Sequence, residues 1–366
     1  MNNCKTAFVT FFPINPNNMG SSTVVNSRFE SWPKSKKIFQ ISHINKLENS
    51  KVKTIYIFKE TPLRKILKLP KLIVEVYKYL KNSKKKILLV EGASWIFYSF
   101  FTIFFIKKIF PSCKIIYVSH SIESDIRKKY SNYLIYLITK KLEYLVFKIS
   151  DLTTAVSNDE QRRIRKLYKK KTCLYPNAIN FERFKLRKEK VQDYIIYTGS
   201  YLYKPNKEAI DYLNYYIMPK LLKKLPKLKL VITGGGFYKK FPWLINKGIV
   251  NKKKLYNLIY NSECMCVPLK FGSGTRIKIL EALSLGVIVV STSKGIEGIE
   301  LLNNNPPFIS NDKKSFINTL TKIIKNGKKL KTKAIIDSRF YQQKYSMKNI
   351  TQEFISNNLK SYLNEN

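Results

Sequence analysis

The chain has 366 residues, 44% of them hydrophobic, and a formal charge of +44; that is enough apolar material for two globular domains and too much for a disordered chain. Such a charge invites a polyanionic partner, but the lysines are dispersed and travel with many Asn, Ile and Tyr. No zinc-ligand spacing, recognition-helix pattern or RRM-type aromatic motif accompanies them, so nucleic acid is not an expected partner. Cys4, Cys113, Cys173, Cys264 and Cys266 are scattered, with two histidines and no C-x-x-C, which argues against a disulfide framework or a zinc site and suits a reducing cytosol.

From the start of the chain, Ala7 to Phe12 is too short for a signal peptide and is followed at once by Pro13, as a first strand would be. Short β-rich runs then alternate with longer helical patterns, the mark of parallel sheets with crossover helices. Strands are expected at 6–12, 54–58, 87–90, 114–118, 152–156 and 172–175 in the first half. In the second half they are expected at 194–197, 228–232, 248–250, 264–267, 287–290 and 308–310. Two doubly wound sheets follow.

Asn18-Met-Gly20-Ser-Ser-Thr lies between the first strand and a helix over 24–32, at the carboxyl edge where open parallel sheets bind ligands. Residues 63–80 have helical spacing, with lysines among apolar positions; such a helix either packs on its own sheet or lies on an anionic bilayer surface. The apolar run 87–106 is long enough to cross a membrane, but it reads as a strand, a turn at Glu91-Gly92 and a short aromatic helix over 95–105. That helix needs a cover, either its own domain or lipid.

His120 falls at the end of the next strand, followed by Glu123-Ser-Asp125. This carboxylate pair has the look of a metal site, but it falls in a loop without supporting ligands and reads as solvated. Ser157 can cap the next helix, Pro176-Asn177 turns the chain, and the charged stretch 185–190 suits a hinge. Cys264 and Cys266 would share one strand face, as core. Thr233-Gly-Gly-Gly236 lacks G-x-G-x-x-G spacing and reads as a strand-to-helix turn.

The stretch from Phe271 to Gly286 carries the most chemistry. Gly272 and Gly274 allow close approach of a ligand, Thr275 or Ser273 can cap a helix, and that helix buries Ile277, Leu280, Leu283 and Leu285. Arg276 and Lys278 fall in its first turn, where cations are unfavourable unless an anion neutralises them. Glu281 is placed for ribose hydroxyls. A surface helix carrying ordinary charges after a glycine turn is the other reading.

G-S-G-T-R-I-K-I-L-E-A-L-S-L-G-V-I-V-V-S-T closely resembles the donor-site block of family-4 (group 1) retaining glycosyltransferases. Three more segments resemble the same family in order: Tyr117-Val-Ser-His120-Ser-Ile-Glu123, the pair Ser150 to Ser157 with Tyr175-Pro-Asn177 to Phe184, and Tyr194 to Ala209. Departures are Ser121, Ala178, Asn180, Ser200 in place of an Arg, and Ser273 in place of the first Glu of E-x7-E, whose second Glu matches Glu281.

The resemblance implies an α/β GT-B fold, two Rossmann-like doubly wound parallel-sheet domains facing across a cleft. Residues 1–187 would form the acceptor-side domain and 188–344 the donor-binding domain, with a helix over 345–366 packing back onto the first. It implies His120, Arg276 and Lys278 as catalytic residues. Donor binding would fall to Gly20, Gly199, Ser200, Lys204, backbone around Val250, Gly272, Ser273, Gly274, Thr275 and Glu281.

The implied reaction is metal-independent sugar transfer with retained configuration, by front-face attack through an oxocarbenium-like transition state. There is no D-x-D, and the nucleotide-diphosphate sugar is substrate, with no further cofactor. Implied partners are that donor, a glycan or lipid-linked glycan acceptor of bacterial surface polysaccharide assembly, and an anionic membrane surface on the cytoplasmic side. A nucleotide-sugar epimerase of the same fold and a non-enzymatic polyanion-binding protein are the alternatives. The first needs acid and base groups, and the chain has only His43 and His120 as histidines.

Overall fold

Runs of Val, Ile, Leu and Phe buried on both faces build the first sheet, as parallel strands with helices on each side require. A computed structural model describes residues 4–14, 20–33, 35–44, 51–181, 193–237, 239–272, 275–302 and 307–364. The chain forms two units: Met1–Asn15 with Ser21–Asn177 and Met347–Asn366, and Pro16–Gly20 with Ala178–Ser346.

In the first unit the order is β1 (Cys4–Thr10), α1 (Gly20–Ser31), β2 (Lys36–Ser42), β3 (Val52–Tyr56), α2 (Pro62–Leu80), β4 (Lys85–Glu91) and α3 (Ile96–Ile109). There follow β5 (Lys114–Val118), α4 (Glu123–Tyr130), α5 (Tyr133–Ile149), β6 (Leu152–Ala155), α6 (Asn158–Tyr168) and β7 (Cys173–Leu174). The strands form a seven-stranded parallel sheet in the order β3-β2-β1-β4-β5-β6-β7. Its topological switch point lies between β1 and β4.

One face packs Leu72 and Val76 of α2, Ile103 and Ile106 of α3, and Val146 and Phe147 of α5. Phe8 points the other way, edge-on to Phe29 and Trp32 at 5.3 and 5.5 Å between ring centroids. Ser157 caps α6 by accepting from the Glu160 amide, as its position in the sequence suggests.

The second unit runs β8 (Tyr194–Thr198), α7 (Lys204–Tyr212), a π-helical turn over Leu213–Ile217, α8 (Met218–Leu222), β9 (Lys229–Thr233), β10 (Leu244–Asn246) and α9 (Lys252–Tyr260). It continues with β11 (Cys264–Val267), α10 (Ile277–Ser284), β12 (Val289–Ser291), α11 (Ser293–Ile296), β13 (Phe308–Ile309), α12 (Lys313–Asn326) and α13 (Lys328–Lys344). These strands make a six-stranded parallel sheet ordered β10-β9-β8-β11-β12-β13, with its switch point between β8 and β11. The chain then returns to the first unit as α14 (Met347–Asn358) and α15 (Lys360–Asn364). There Phe354 of α14 stacks on Tyr175 at 4.3 Å.

Several expectations are corrected. β2 was not anticipated, because paired lysines and Gln40 break its apolar run. Gln40 is fully buried, accepting from the Ile14 amide and donating to Thr54 Oγ1. The strand expected at 248–250 lies earlier, as β10, so the Thr233 to Gly236 turn leads to a strand rather than a helix. Val250 instead sits in the loop ahead of Asn251, the cap of α9.

Residues 87–106 divide into β4, a turn and α3, and among the described residues no helix is long and apolar enough to cross a membrane. Glu123 is neither solvated nor in a loop. It opens α4, is buried, and accepts from the Ile96 amide while pairing with Arg127. Burial raises its pKa to about 7 against the pull of Arg127.

Candidate functional site

Parallel sheets gather polar groups at the carboxyl ends of their strands, most of all at a switch point. In the second unit that place is built from Gly199 after β8, the turn 234–236 after β9, Gly272 after β11 and the start of α10. Gly199 has φ +143°, and a Cβ there would lie 2.8 Å from Lys278 Nζ. Gly234 has φ +117°, and its Cβ would fall 2.4 Å from the Gly199 carbonyl oxygen. Only glycine permits either approach.

Lys278 is the centre of this arrangement. Its ammonium donates to Asn206 Oδ1 at 3.0 Å and lies 4.0 Å from the centroid of the Tyr197 ring. Asn206 Oδ1 also accepts from the Tyr197 hydroxyl at 2.7 Å, and Asn206 Nδ2 donates to the Ser200 carbonyl at 2.9 Å. Burial and the neighbouring Arg276 lower the Lys278 pKa to about 7, with Glu281 opposing them. Glu281 is itself buried, and burial raises its pKa to about 7 against Lys252, Lys278 and Tyr256. The positive charge is thus held at a place where it is costly.

Arg276 is not in the first turn, as expected, but at the cap position, with extended backbone (φ −85°, ψ 100°). The side chain of Arg276 makes no cap hydrogen bond to the first turn of α10. The extended backbone at Arg276 starts the helix one residue later and leaves Lys278 as its second residue. A Cβ at Gly272 would lie 3.1 Å from Arg276 Nη2, so loop backbone and guanidinium adjoin. Thr275 is buried; Ser273 and Gly274 fall outside the described residues, as do Asn18, Met19 and the hinge 185–190.

The remaining donor-side candidates are more peripheral. Ser200 Oγ accepts from the Leu202 amide at 3.3 Å and reaches the Gly235 carbonyl at 3.4 Å, shaping its own turn. Lys204 is exposed at the start of α7, Val250 is half-buried, and Gly20 is the exposed first residue of α1. Sequence reasoning missed Asn206 and Tyr197. Their available signal was an Asn in the first turn of the helix that follows a strand-end glycine.

In the first unit, His120 lies two residues beyond β5 and Glu91 ends β4 beside the switch point. Glu91 Oε2 is 2.6 Å from His120 Nε2 and 2.7 Å from Arg28 Nη1. Arg28 and Glu91 are fully buried, and the guanidinium carbon sits 4.4 Å from the centroid of the Tyr175 ring. Burial alone would raise the Glu91 pKa, but Arg28 and His120 hold it below the usual carboxylate range. An ionised carboxylate only accepts, so His120 Nε2 carries the hydrogen and Nδ1 is the nitrogen left for other work.

The loop bearing His120 is tied down by carboxylates. Ile122 N donates to Glu160 and Glu123 N to Glu143, at 3.2 and 2.7 Å. Neither Arg28 nor Glu91 was singled out from sequence, since a helical Arg and a strand-end Glu carry no local pattern.

Residues 192–326, which contain this second-unit arrangement, match the family model described as Glycosyl transferases group 1. Across the whole chain, solved structures show the GT-B fold. Sucrose-phosphate synthase from Thermosynechococcus elongatus superposes with a TM-score of 0.77 at 13% identity, covering 99% of this chain and 100% of that one. The Anabaena protein HepE, in complex with UDP and glucose, gives 0.71 at 12% identity over 98% and 99%. WaaG, a glycosyltransferase involved in lipopolysaccharide biosynthesis, gives 0.68 at 11% identity over 97% and 100%.

A curated relative, an uncharacterised 44.6 kDa protein in the cps region of Klebsiella pneumoniae, is 27% identical over 178 residues. The match spans 45% of each chain, less than half of that relative. The two parallel sheets therefore have the GT-B fold, and the second unit carries the segment similar to the group 1 glycosyl transferases.

Proposed function

We propose that the chain is a retaining glycosyltransferase that moves a sugar from a nucleotide-diphosphate donor to an acceptor hydroxyl in the assembly of a bacterial surface polysaccharide. The observation that carries the reading is Lys278, half-buried beside Arg276 and the Gly199 turn at the carboxyl edge of the second sheet, its pKa lowered chiefly by desolvation. A desolvated cation is unfavourable in isolation, and a diphosphate against it reverses that cost.

In this reading the anomeric C–O bond to the donor phosphate breaks and its electron pair leaves with the diphosphate. The acceptor oxygen bonds to the anomeric carbon on the same face, and its proton passes to the leaving phosphate. Charge grows on the diphosphate as the bond breaks, so fixed cations and loop amides stabilise the transition state more than the ground state. One cation about 4 Å away contributes on the order of 4 kcal/mol at an effective dielectric of about 20, which lets Arg276 and Lys278 act without a divalent metal. Glu281 takes the ribose hydroxyls, and His120 hydrogen-bonds the transferred sugar or the leaving phosphate.

The group 1 match, the cps-region relative and the lipopolysaccharide role of WaaG support a glycan or lipid-linked glycan acceptor. A thermal-shift panel of nucleotides and nucleotide sugars, followed by NMR of the product's anomeric proton, tests the reading. Stabilisation by one nucleotide diphosphate, its loss in Arg276→Met, and a retained anomer are expected. A chain stabilised by no nucleotide would sink the donor assignment, and an inverted anomer would sink the retaining mechanism.

A further inference from the structure

Arg28 is joined to Glu91 through a single nitrogen: Nη1 donates to Oε1 at 2.9 Å and to Oε2 at 2.7 Å. Its Nε and Nη2 are buried and make no hydrogen bond among the described residues. A bidentate fork would fix its own plane, whereas a guanidinium held at one nitrogen can swing about it. The oxygen at stake is Oε2, which also meets His120 Nε2 at 2.6 Å. Whatever fixes the plane of Arg28 therefore governs how Glu91 meets the imidazole.

That group is Tyr175. The guanidinium carbon lies 4.4 Å from its ring centroid, and both side chains are fully buried, where a cation over a ring gains most. α14 fixes the ring in turn. Phe354 stacks on it at 4.3 Å with 4° between the planes, and the Tyr175 hydroxyl is 2.9 Å from Oγ1 of the buried Thr351. A line of contacts thus runs from His120 through Glu91, Arg28 and Tyr175 to the helix by which the chain re-enters the first unit. Stability does not account for the charges along it, since apolar residues commonly replace a buried ion pair without loss.

We propose that Tyr175 is a positioning residue for His120. By holding the Arg28 guanidinium in place it leaves Glu91 Oε2 to take the Nε2 hydrogen, which keeps the lone pair on Nδ1, and α14 completes the arrangement. What that lone pair meets rests on the transferase reading, whereas the tautomer is read without any donor.

The test is ¹⁵N NMR of the full chain labelled on histidine, at an alkaline pH where the imidazoles are neutral, with His43→Gln assigning the signals. Wild type is expected to show one protonated and one unprotonated nitrogen for His120. Tyr175→Phe keeps the ring and is expected to match it. Tyr175→Leu removes the ring and is expected to bring the two ¹⁵N shifts toward each other, as exchange between tautomers requires. Melting temperatures report whether each variant is folded. If Tyr175→Leu is not, Phe354→Leu loosens the ring from the α14 side and is expected to move the shifts in the same direction. Wild-type shifts in a folded leucine variant would overturn the proposal, as would shifts already averaged in wild type. So would a Tyr175→Phe that moves them as far as Tyr175→Leu, because the hydroxyl rather than the ring would then be acting. None of these results touches the thermal-shift test of the donor, so the two readings fail separately.

Discussion

At the scale of single residues, Lys278 and Glu281 are shifted toward each other, and the signs of the consequences differ. The folded Lys278 pKa of about 7 lies below the ordinary 10.5, so the unfolded chain binds more protons between those values and stability rises with pH across that window. The folded Glu281 pKa of about 7 lies above the ordinary 4.5, so the folded chain binds more protons there and stability falls as pH climbs toward 7. Melting temperature against pH should lose its upper rise in Lys278→Met and its lower fall in Glu281→Gln. Lys278→Met should melt no lower than wild type near neutrality, since it replaces a desolvated charge with an apolar chain, while nucleotide-diphosphate binding drops about 10²-fold. In wild type, diphosphate binding should take up a proton above pH 7 and weaken as pH rises. Calorimetry in buffers of different ionisation enthalpy measures that uptake. The other pair, Arg28 and Glu91, calls for a joint change, because removing one partner strands the other charge and costs about 3–5 kcal/mol. Arg28→Met with Glu91→Leu should stay folded yet free His120, lowering transfer by about 10²-fold. The ¹⁵N shifts of its imidazole should show a changed tautomer, and with two histidines in the chain the signals are readily assigned.

Among elements, the turns at the ends of β8 and β9 form one close contact, so each limits the other. Gly234→Ala would add a left-handed strain of about 1–3 kcal/mol and press its Cβ toward the Gly199 carbonyl at 2.4 Å. A lower urea midpoint and a weakened nucleotide thermal shift are expected together. Unchanged values for both would mean that the two turns move independently. The strands of these elements were legible because β-branched runs bounded by turn residues have few other uses. β2 was not legible, because Gln40 becomes compatible with a sheet interior only when Ile14 and Thr54 supply its partners. The start of α10 shows the same limit. Thr275 suits a cap by type, but the backbone at Arg276 decides where the helix begins.

For the whole molecule the dominant quantity is a formal charge of +44, which acts on solubility and association rather than on the fold. Like charges spread over both units repel at distances near the Debye length, about 10 Å at 0.1 M salt and about 30 Å at 0.01 M. The melting temperature should therefore rise as sodium chloride goes from about 0.01 to 0.1 M. A flat or falling curve would show that attractive pairs such as Arg163 with Asp125 outweigh the repulsion.

By itself the sequence determined the alternation of strand and helix and the two doubly wound sheets, because these rest on local periodicity and contiguous residue types, while the GT-B fold was implied by the family resemblance of blocks such as that around Arg276, Lys278 and Glu281. Tertiary structure alone decided that Lys278 is half-buried, that Asn206 and Tyr197 hold it, and that Glu91 links Arg28 to His120. Those outcomes depend on which strand ends lie side by side, and strand order is set by packing across a sheet rather than by neighbours along the chain.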